Sequence, residues 1–263
     1  MEKKDISLVK LGGSLITNKK LGSYAQRALD EDAIQEVIEL IFAHKGGPMI
    51  LAHGNGSYGH PVASAHKKRL EGSPWDNEAA LAIRSATREL NEEIYQRLVT
   101  AGLHIKRFFT EDVLHQTSSA LEFNAGILEQ LLQLLDSGSI PLLYGAMINA
   151  PGGYEVLSTE ALLAELGVQL NSRIKQALFF SDEPGIYDEL KSVIPKLQVS
   201  ELSDVQKRII RDLPEGTADV SGGMRHKLAM AGKLASNNVP TFIGRPSEGA
   251  FHGKVGVGTW VVA

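Results

Sequence analysis

Short apolar runs alternate with longer stretches of helical period along most of the chain. Each short run ends in glycine or a polar turn, a pattern typical of βαβ units that predicts a largely parallel sheet. The predicted strands are Ile6–Leu11, Pro48–His53, His104–Phe109, Ile140–Ile148, Gln176–Ser181, Pro240–Gly244 and Thr259–Val262. The predicted helices are Glu31–His44, Pro61–Leu70, Asn77–Ala101, Phe123–Ser137, Thr159–Leu170, Glu201–Asp212 and Met224–Asn237. The pattern therefore predicts an α/β fold.

Two connecting segments have turn chemistry of their own. Residues 149–157, "NAPGGYEVL", read as a hairpin turn, and residues 182–197 read as a surface excursion after a strand. No low-complexity linker interrupts the chain, so we expect a single domain over residues 1–263, in which one continuous sheet has two lobes that divide near residue 175.

Composition excludes several classes of function. The chain has 263 residues, 43% of them hydrophobic and 22% charged, and its net charge of −4 argues against general nucleic-acid binding. The absence of cysteine excludes disulfides, thiolate nucleophiles and Cys-ligated zinc. No apolar run approaches the roughly 18 residues of a membrane span, and the first residues lack the apolar core of a signal peptide. We expect a cytoplasmic protein with no membrane partner.

One glycine-rich stretch matches the dinucleotide-binding fingerprint by letter. "HGNGSYGH", residues 53–60, contains Gly54-x-Gly56-x-x-Gly59. That fingerprint needs an acidic residue about 20 positions later, at the end of the next strand, to hold a ribose. Glu71 and Asp76 have that spacing but lie in the turn "EGSPWDN", so the pattern gives little support to a dehydrogenase. A Walker A loop is absent from the sequence.

A second glycine turn indicates a different phosphate site. The first predicted strand runs into "VKLGGSLIT", so two successive strands end in glycine turns at the same edge of a parallel sheet. Backbone N–H groups of such turns can converge on phosphate oxygens, because no Cβ blocks the approach. Two adjacent turns can hold two phosphate groups end to end, as phosphoryl transfer requires.

Three lysines supply charge near these turns. Lys10 ends an apolar strand, where a buried ammonium without an anion is costly, and Lys19 lies just beyond the first turn. A third glycine turn, "DVSGGMRHK", opens a helix that carries Lys227. Helix start, glycine and lysine together describe another anion site.

Taken in order, "VKLGGSLIT", "HGNGSYGH", "SDEPGIY" and "DVSGGMRHK" resemble the amino acid kinase superfamily. The glycine turn that ends in histidine is most similar to the branch of isopentenyl phosphate kinases and the related fosfomycin-phosphorylating kinases. The resemblance runs from Leu8 to about Lys233. It implies a three-layer αβα sandwich around a mostly parallel open sheet, with Mg2+ and ATP on the C-terminal lobe and a phosphorylated small-molecule acceptor on the N-terminal lobe. It also implies a homodimer.

The resemblance assigns roles to particular positions. The implied catalytic residues are Lys10, Lys19 and His60. The implied ATP-binding residues are Lys10, Gly12, Gly13, Ser14, Asn55, Asp182, Gly222 and Lys227. The implied acceptor-binding residues are Gly54, Asn55, Gly59, His60, Gly145 and Thr159, and no residue is assigned to the metal. The implied reaction is ATP-dependent phosphorylation of isopentenyl phosphate to the diphosphate. Small residues of the long helix, Ala79, Ala80, Ala82, Ile83 and Ala86, are candidates for walls around a prenyl tail or for core packing.

The chain departs from the family pattern at three places. Asn55 replaces a glycine, Tyr144-Gly145-Ala146 replaces His-Gly-Asp, and Ser158-Thr159-Glu160-Ala161 replaces Ser-Gly-Asp-Asp. These departures keep two alternatives open: a kinase of the same fold that acts on another small phosphate or phosphonate, such as fosfomycin, and a nucleotide-binding sensor without catalysis.

Overall fold

An eight-stranded sheet forms the centre of the molecule. The computed structural model describes residues 5–18, 27–44, 47–211 and 223–263. The strands are β1 Ile6–Leu11, β2 Met49–His53, β3 Ile105–Arg107, β4 Leu114–Gln116, β5 Leu121–Phe123, β6 Ile140–Tyr144, β7 Ala146–Ala150, β8 Gly153–Leu157, β9 Ile174–Phe180, β10 Lys196–Gln198, β11 Thr241–Gly244 and β12 Thr259–Val262. The helices are α1 Gly13–Ile16, α2 Glu31–Ala43, α3 Gly56–Leu70, α4 Asn77–Thr100, α5 Thr110–Val113, α6 Ile127–Asp136, α7 Thr159–Gln169, α8 Leu202–Arg211, α9 Gly223–Ser236 and α10 Glu248–Phe251.

The sheet is mostly parallel, as predicted. Its strand order is β10-β12-β11-β9-β1-β2-β6-β3, and among these neighbours the pair β11 and β12 is antiparallel. The central strands β1 and β9 pair in parallel, although β1 lies near the start of the chain and β9 begins only at Ile174. Strands on both sides of residue 175 thus belong to one sheet. The division into an acceptor lobe and a nucleotide lobe stays a prediction.

Both faces of the sheet are covered by helices. Along β1, Ile6 and Leu8 join the hydrophobic cluster that includes α6, α7 and α9, whereas Val9 and Leu11 join the cluster that includes α2 and α4. Successive strand residues point to opposite faces, so alternating side chains feed two separate cores. This alternation produces the three-layer αβα sandwich.

Side-chain caps set the starts of several helices. The carboxylate of Asp30 accepts a hydrogen bond from the Ala33 N–H at the start of α2, and Asp76 does the same for Ala79 at the start of α4. Each cap satisfies one of the backbone donors that a helix start leaves without an intrahelical partner. The cap at Asp76 explains why the predicted start of the long helix agrees with the structure.

Two predicted elements differ from the structure near the glycine turns. The segment predicted as one strand over Ile140–Ile148 breaks at Gly145, where β6 has ended, the chain leaves the main sheet and β7 begins a hairpin with β8. The backbone N–H of Gly145 still donates to the carbonyl of His53 at 3.1 Å, as the last bond of the β2–β6 ladder, whereas its own carbonyl accepts from the Asn55 side-chain amide at 2.9 Å. The helix predicted from Pro61 begins five residues earlier, at Gly56, and encloses the proline.

The predicted hairpin over residues 149–157 is confirmed, with Ala150 opposite Gly153. None of the helices in the described ranges is long and apolar enough to cross a membrane.

Candidate active site

Four strands of the sheet end at the same level. Leu11 at the end of β1 is paired with His53 of β2 on one side and with Phe180 of β9 on the other, and His53 is paired with Tyr144 of β6. Because these strands are parallel, the turns that follow them meet at one edge of the sheet. This is the edge at which open α/β sheets bind ligands.

The first two glycine turns lie in direct backbone contact. A Cβ added to Gly13 would be 2.2 Å from the Gly56 nitrogen, and one added to Gly54 would be 2.7 Å from the Gly13 nitrogen. Real side chains do not tolerate such approaches, so glycine is required for the two turns to pack together. The contact confirms that the two turns adjoin.

Thr17 locks the second turn onto the first. Its hydroxyl donates to the Gly13 carbonyl at 2.6 Å and accepts from the Ser57 N–H at 3.0 Å. Gly56 has a φ of +44°, in the left-handed region that glycine adopts without strain. The relative position of the two turns is therefore fixed by main-chain and side-chain contacts together.

A buried group of charges lies beside the turns. The Lys10 ammonium on β1 forms an ion pair with the Glu160 carboxylate in the first turn of α7, and both residues are buried. Burial alone would raise the pKa of Glu160, but the ammonium groups of Lys10 and Lys227 outweigh it and hold that pKa below its usual value. Glu160 is thus an anion placed among cations.

Lys227 on α9 completes this group. Burial and the nearby Lys10 ammonium lower the pKa of Lys227 to about 8, although Glu160 and Asp182 act in the opposite direction. Burial and the second cation destabilise the charged form of this amine. An anion that binds beside it therefore stabilises that charge by more free energy than it would stabilise an exposed ammonium. The arrangement suits a phosphate group.

Asp182 connects α1 to the segment after β9. The Ser14 hydroxyl donates to the Asp182 carboxylate at 2.7 Å, and Arg245 donates to the Asp182 backbone carbonyl at 3.0 Å. These bonds bring together residues that the sequence placed on the nucleotide side.

A cleft of about 780 Å³ opens beside the glycine turns. The predicted site residues that line it are Lys10, Gly13, Gly54, Asn55, Gly59, His60, Gly145 and Thr159. Four others, Gly12, Ser14, Asp182 and Lys227, are not among the lining residues of the cleft. Lys19 and Gly222 lie outside the described residues. The cleft therefore gathers all six residues predicted to bind the acceptor.

A ring of hydrogen bonds fixes the turn around Asn55. The Asn55 side-chain amide donates to the Gly145 carbonyl at 2.9 Å, and the Thr159 hydroxyl donates to the His53 carbonyl at 2.8 Å. That carbonyl also accepts from the Gly145 N–H. Gly145 and Thr159 are in close contact, because a Cβ added to Gly145 would lie 2.8 Å from the hydroxyl oxygen of Thr159. Three of the predicted acceptor-binding residues thus hold one another in place.

His53 is a buried, neutral histidine at the centre of this ring. Its Nδ1 donates to the Gly54 carbonyl at 3.0 Å, which makes Nε2 the acceptor of the bond from the Asn91 amide at 3.0 Å. Complete burial lowers the pKa of His53 to about 4. The imidazole is therefore a fixed hydrogen-bonding link between the glycine turn and α4.

The far walls of the cleft combine apolar and polar groups. Ala63, Trp75 and Ile83 line it together with Lys67 and Gln116. Of the small residues proposed as tail walls, Ile83 lines the cleft, while Ala79, Ala80, Ala82 and Ala86 do not. Ala79, Ala80 and Ala86 are buried, which favours a packing role for them.

Sequence reasoning missed three groups of this site. It treated Glu160 only as a departure from the family pattern, and it passed over the pair formed by Ser158 and His226, whose side chains approach to 2.6 Å. A usable signal existed for Glu160, because a lysine in an apolar strand needs a buried carboxylate. No local signal marks Ser158 and His226, since 68 residues separate them.

The chain is similar to known proteins along most of its length. The model of the amino acid kinase family matches residues 5–245. The isopentenyl phosphate kinase of Methanothermobacter thermautotrophicus is 24% identical over 258 residues, covering 90% of this chain and 89% of that protein. The isopentenyl phosphate kinase of Methanocaldococcus jannaschii is 22% identical over 245 residues, covering 87% of each. A solved isopentenyl phosphate kinase structure has a TM-score of 0.76 at 19% identity and covers 98% of this chain and 100% of that one. The chain belongs to the amino acid kinase family.

Proposed function

We propose that this protein transfers the γ-phosphoryl group of ATP to isopentenyl phosphate, with isopentenyl diphosphate and ADP as products. The observation that carries the proposal is the backbone contact between the two glycine turns, with Gly13 against Gly54 and Gly56. Two anion-binding turns at contact distance can hold a donor phosphate and an acceptor phosphate end to end. Phosphoryl transfer depends mainly on this kind of alignment and on charge neutralisation.

We assign the nucleotide to the side of the site built by α9 and the end of β9. Lys227 is buried there beside Lys10, and Asp182 is held by Ser14. The proposed ATP contacts are Lys10, Gly12, Gly13, Ser14, Asn55, Asp182, Gly222 and Lys227, of which Gly222 is assigned from sequence alone. Of these contacts, Asp182, Gly222 and Lys227 belong to the C-terminal lobe, to which we assign the nucleotide.

We assign the acceptor phosphate to the cleft at the start of α3. Gly54, Asn55, Gly59 and His60 line it beside Lys10. A phosphate monoester has a second pKa near about 6, so its oxygen is already anionic at neutral pH and needs no general base. His60 therefore acts as a hydrogen-bond donor to that phosphate.

In the proposed reaction an acceptor phosphate oxygen attacks the γ-phosphorus of ATP. The new P–O bond forms as the bond from the γ-phosphorus to the β–γ bridging oxygen breaks, and ADP leaves with that electron pair. Lys10, held by Glu160, remains next to the transferring group and offsets its charge. Lys19 is proposed to offset the same charge, on sequence grounds alone.

Mg2+ fits this site as an ion carried by the nucleotide phosphates. Within the described ranges, no cluster of three or more His, Asp or Glu side chains could hold a metal. Mg2+ commonly retains waters and binds through substrate phosphates with one or two carboxylates, and Asp182, which Ser14 holds on the nucleotide side, is the proposed carboxylate. When bound, the ion neutralises charge on the phosphates.

The relatives support the choice of acceptor. Both relatives that match over most of their length are isopentenyl phosphate kinases. The lining residues Ala63, Trp75 and Ile83 provide apolar surface for a short hydrocarbon tail.

A second candidate acceptor is a small phosphonate such as fosfomycin. The observation that favours it is the polar part of the cleft wall, where Lys67, Gln116 and Glu155 face the same space as the apolar residues. A short, polar acceptor would use these groups, whereas a prenyl tail would not.

The test is a panel of acceptors with Mg2+ and ATP. ADP release is followed by a coupled assay, and the product by 31P NMR, with isopentenyl phosphate, dimethylallyl phosphate, fosfomycin and a simple alkyl phosphate compared by kcat/KM. The proposal expects the highest value for isopentenyl phosphate and a diphosphate product. A higher value for fosfomycin selects the second candidate. Tight ATP binding without transfer to any member of the panel would identify a sensor and remove the kinase proposal.

We also propose a homodimer. Light scattering behind a sizing column tests this, and a mass near 28.5 kDa would contradict it.

A further inference from the structure

One hydrogen bond joins the start of α7 to the first turn of α9. The Ser158 hydroxyl oxygen lies 2.6 Å from Nε2 of His226, and both side chains line the cleft. The same hydroxyl accepts from the Ala161 N–H at 3.0 Å and so caps α7. Ser158 donates to His226 when the imidazole carries its proton on Nδ1, and His226 donates to Ser158 when Nε2 carries a proton. None of the roles proposed above uses this pair.

The bond connects the backbones that carry the buried charges. Glu160 follows Ser158 by two residues in the first turn of α7, and Lys227 follows His226 directly in α9. A second link between the same helices, the ion pair of Lys233 with Glu165 at 2.9 Å, lies about two turns away. The Ser158–His226 bond therefore secures the end of the helix pair that faces the charged group.

The position of Lys227 is sensitive to this end of α9. Its ammonium is buried and interacts with Lys10, Glu160 and Asp182. Interactions between charges are much stronger in a buried site than in water, so a small shift of the helix changes the field at Lys227 strongly. The helix begins at Gly223, so His226 lies in the turn that fixes this approach.

We propose that His226 is a positioning residue: through Ser158 it holds the start of α9 against the start of α7, and it thereby keeps Lys227 beside Lys10 and Glu160. The kinetic consequence rests on the proposed phosphoryl transfer, whereas the placement of Lys227 does not. The two parts can therefore fail separately.

Kinetics separate positioning from ligand contact. His226→Ala should lower kcat by on the order of tenfold to a hundredfold, because a displaced Lys227 misaligns the transfer, while the KM for isopentenyl phosphate changes little. His226→Gln should restore most of kcat, since its amide can reach Ser158. A KM that rises at unchanged kcat would show that His226 contacts the acceptor and would overturn the proposal.

A double-mutant cycle tests the route through Ser158. If His226 acts through this hydroxyl, His226→Ala should have little further effect on kcat in a Ser158→Ala background. Additive losses would mean that the two residues act independently, and the proposal would fail. If His226→Ala does not fold, His226→Asn replaces it, because the shorter amide keeps polarity but does not reach Ser158.

A measurement without substrate tests the placement itself. NMR titration of labelled lysine side chains, with Lys227 assigned by Lys227→Arg, should give a Lys227 midpoint near 8 in the unaltered protein. The midpoint should rise toward the ordinary lysine range in His226→Ala, because the amine becomes solvated, and stay low in His226→Gln. Lys233→Ala, which cuts the other α7–α9 link, should leave it unchanged. An unaltered midpoint in His226→Ala would overturn the placement, whatever the kinase assay shows.

Discussion

Lys10 and Glu160 lie 150 positions apart in the sequence, yet their side chains form a buried ion pair beside the two glycine turns. Lys10 comes from the central strand β1, and Glu160 comes from the N-terminal turn of α7. A buried ammonium needs an anion, and a buried carboxylate needs donors. Each residue therefore explains why the other can be buried. The ion pair holds both charges in fixed positions before any ligand binds.

Glu160→Gln removes the anion and keeps the shape of the side chain. We expect the free energy of unfolding to fall by about 3 kcal/mol, since breaking one partner of a buried pair leaves an uncompensated charge. We also expect kcat to fall by on the order of tenfold or more, because Lys10 loses its fixed position. Urea denaturation and steady-state kinetics measure the two effects.

The matched control for that variant is Glu165→Gln. Glu165 lies on the same helix, between one and two turns beyond Glu160, and is paired with Lys233 instead of Lys10. This variant should cost less than about 1 kcal/mol, in line with exposed ion pairs, and keep kcat. Equal losses in both variants would show that the ion pair at Lys10 has no special role.

The lowered pKa of Lys227 predicts how the kcat/KM for ATP depends on pH. Its folded-state pKa of about 8 lies below the ordinary value of 10.5, so the free enzyme loses this positive charge as the pH rises through about 8. The kcat/KM for ATP, which reports the free enzyme, should fall over that range. Lys227→Arg keeps its charge and should give a flat profile above pH 8, although with a lower maximum. The same fall in both proteins would assign it to another group.

Much of the fold follows from the hydrophobic pattern. The strands Ile6–Leu11 and Thr259–Val262 were predicted with the bounds that the structure shows, because each is an apolar run between polar turns. The prediction failed at Gly145, where the run continues in sequence but the chain changes sheets. Hydrophobicity is the same on both sides of that glycine, and the break depends on hydrogen bonds to residues far away in the chain.

The sequence predicted those residues of the site that belong to short motifs, and it did not predict pairs formed by distant parts of the chain. The two glycine turns and Lys10 were identified because glycine and a lysine in an apolar strand have direct physical meanings. The partner of Lys10 and the pair of Ser158 with His226 depend on how α7 and α9 pack, which no short segment determines. The contact between the two turns is a tertiary feature. It was predicted because the two strands that precede the turns were expected to end at the same edge of a parallel sheet.

The buried His53 predicts a loss of stability in acid. Its pKa is about 4 in the folded protein and near 6.5 when unfolded, so the unfolded state binds the extra proton between these values. The free energy of unfolding should therefore fall as the pH drops from about 6.5 to about 4, by up to about 3 kcal/mol from this residue. In His53→Gln this part of the pH dependence should vanish. Parallel curves for both proteins would exclude His53 as its source.

Gly13→Ala tests the contact between the two turns. The added Cβ would lie 2.2 Å from the Gly56 backbone nitrogen, so the turns must separate. We expect a loss of kcat/KM of on the order of a hundredfold, because about 1 Å of misplacement has that effect on transfer. Gly249→Ala is the control: its Cβ would meet side chains alone, those of Lys254 at 3.3 Å and Val257 at 3.4 Å. Comparable activity of the two variants would mean that the turns need not touch.

His60→Ala separates the two halves of the site. His60 lines the cleft at the start of α3, on the side assigned to the acceptor. Loss of a hydrogen bond to an anionic phosphate should raise the KM for isopentenyl phosphate by on the order of tenfold, while the Kd for ATP stays within about twofold. His66→Ala is the matched control, since His66 lies on the same helix, bonds to Arg69 and is not part of the cleft. Equal weakening of acceptor and ATP binding in His60→Ala would make His60 a structural residue of the turn, because the loss of a contact with the acceptor phosphate alone acts first on acceptor binding.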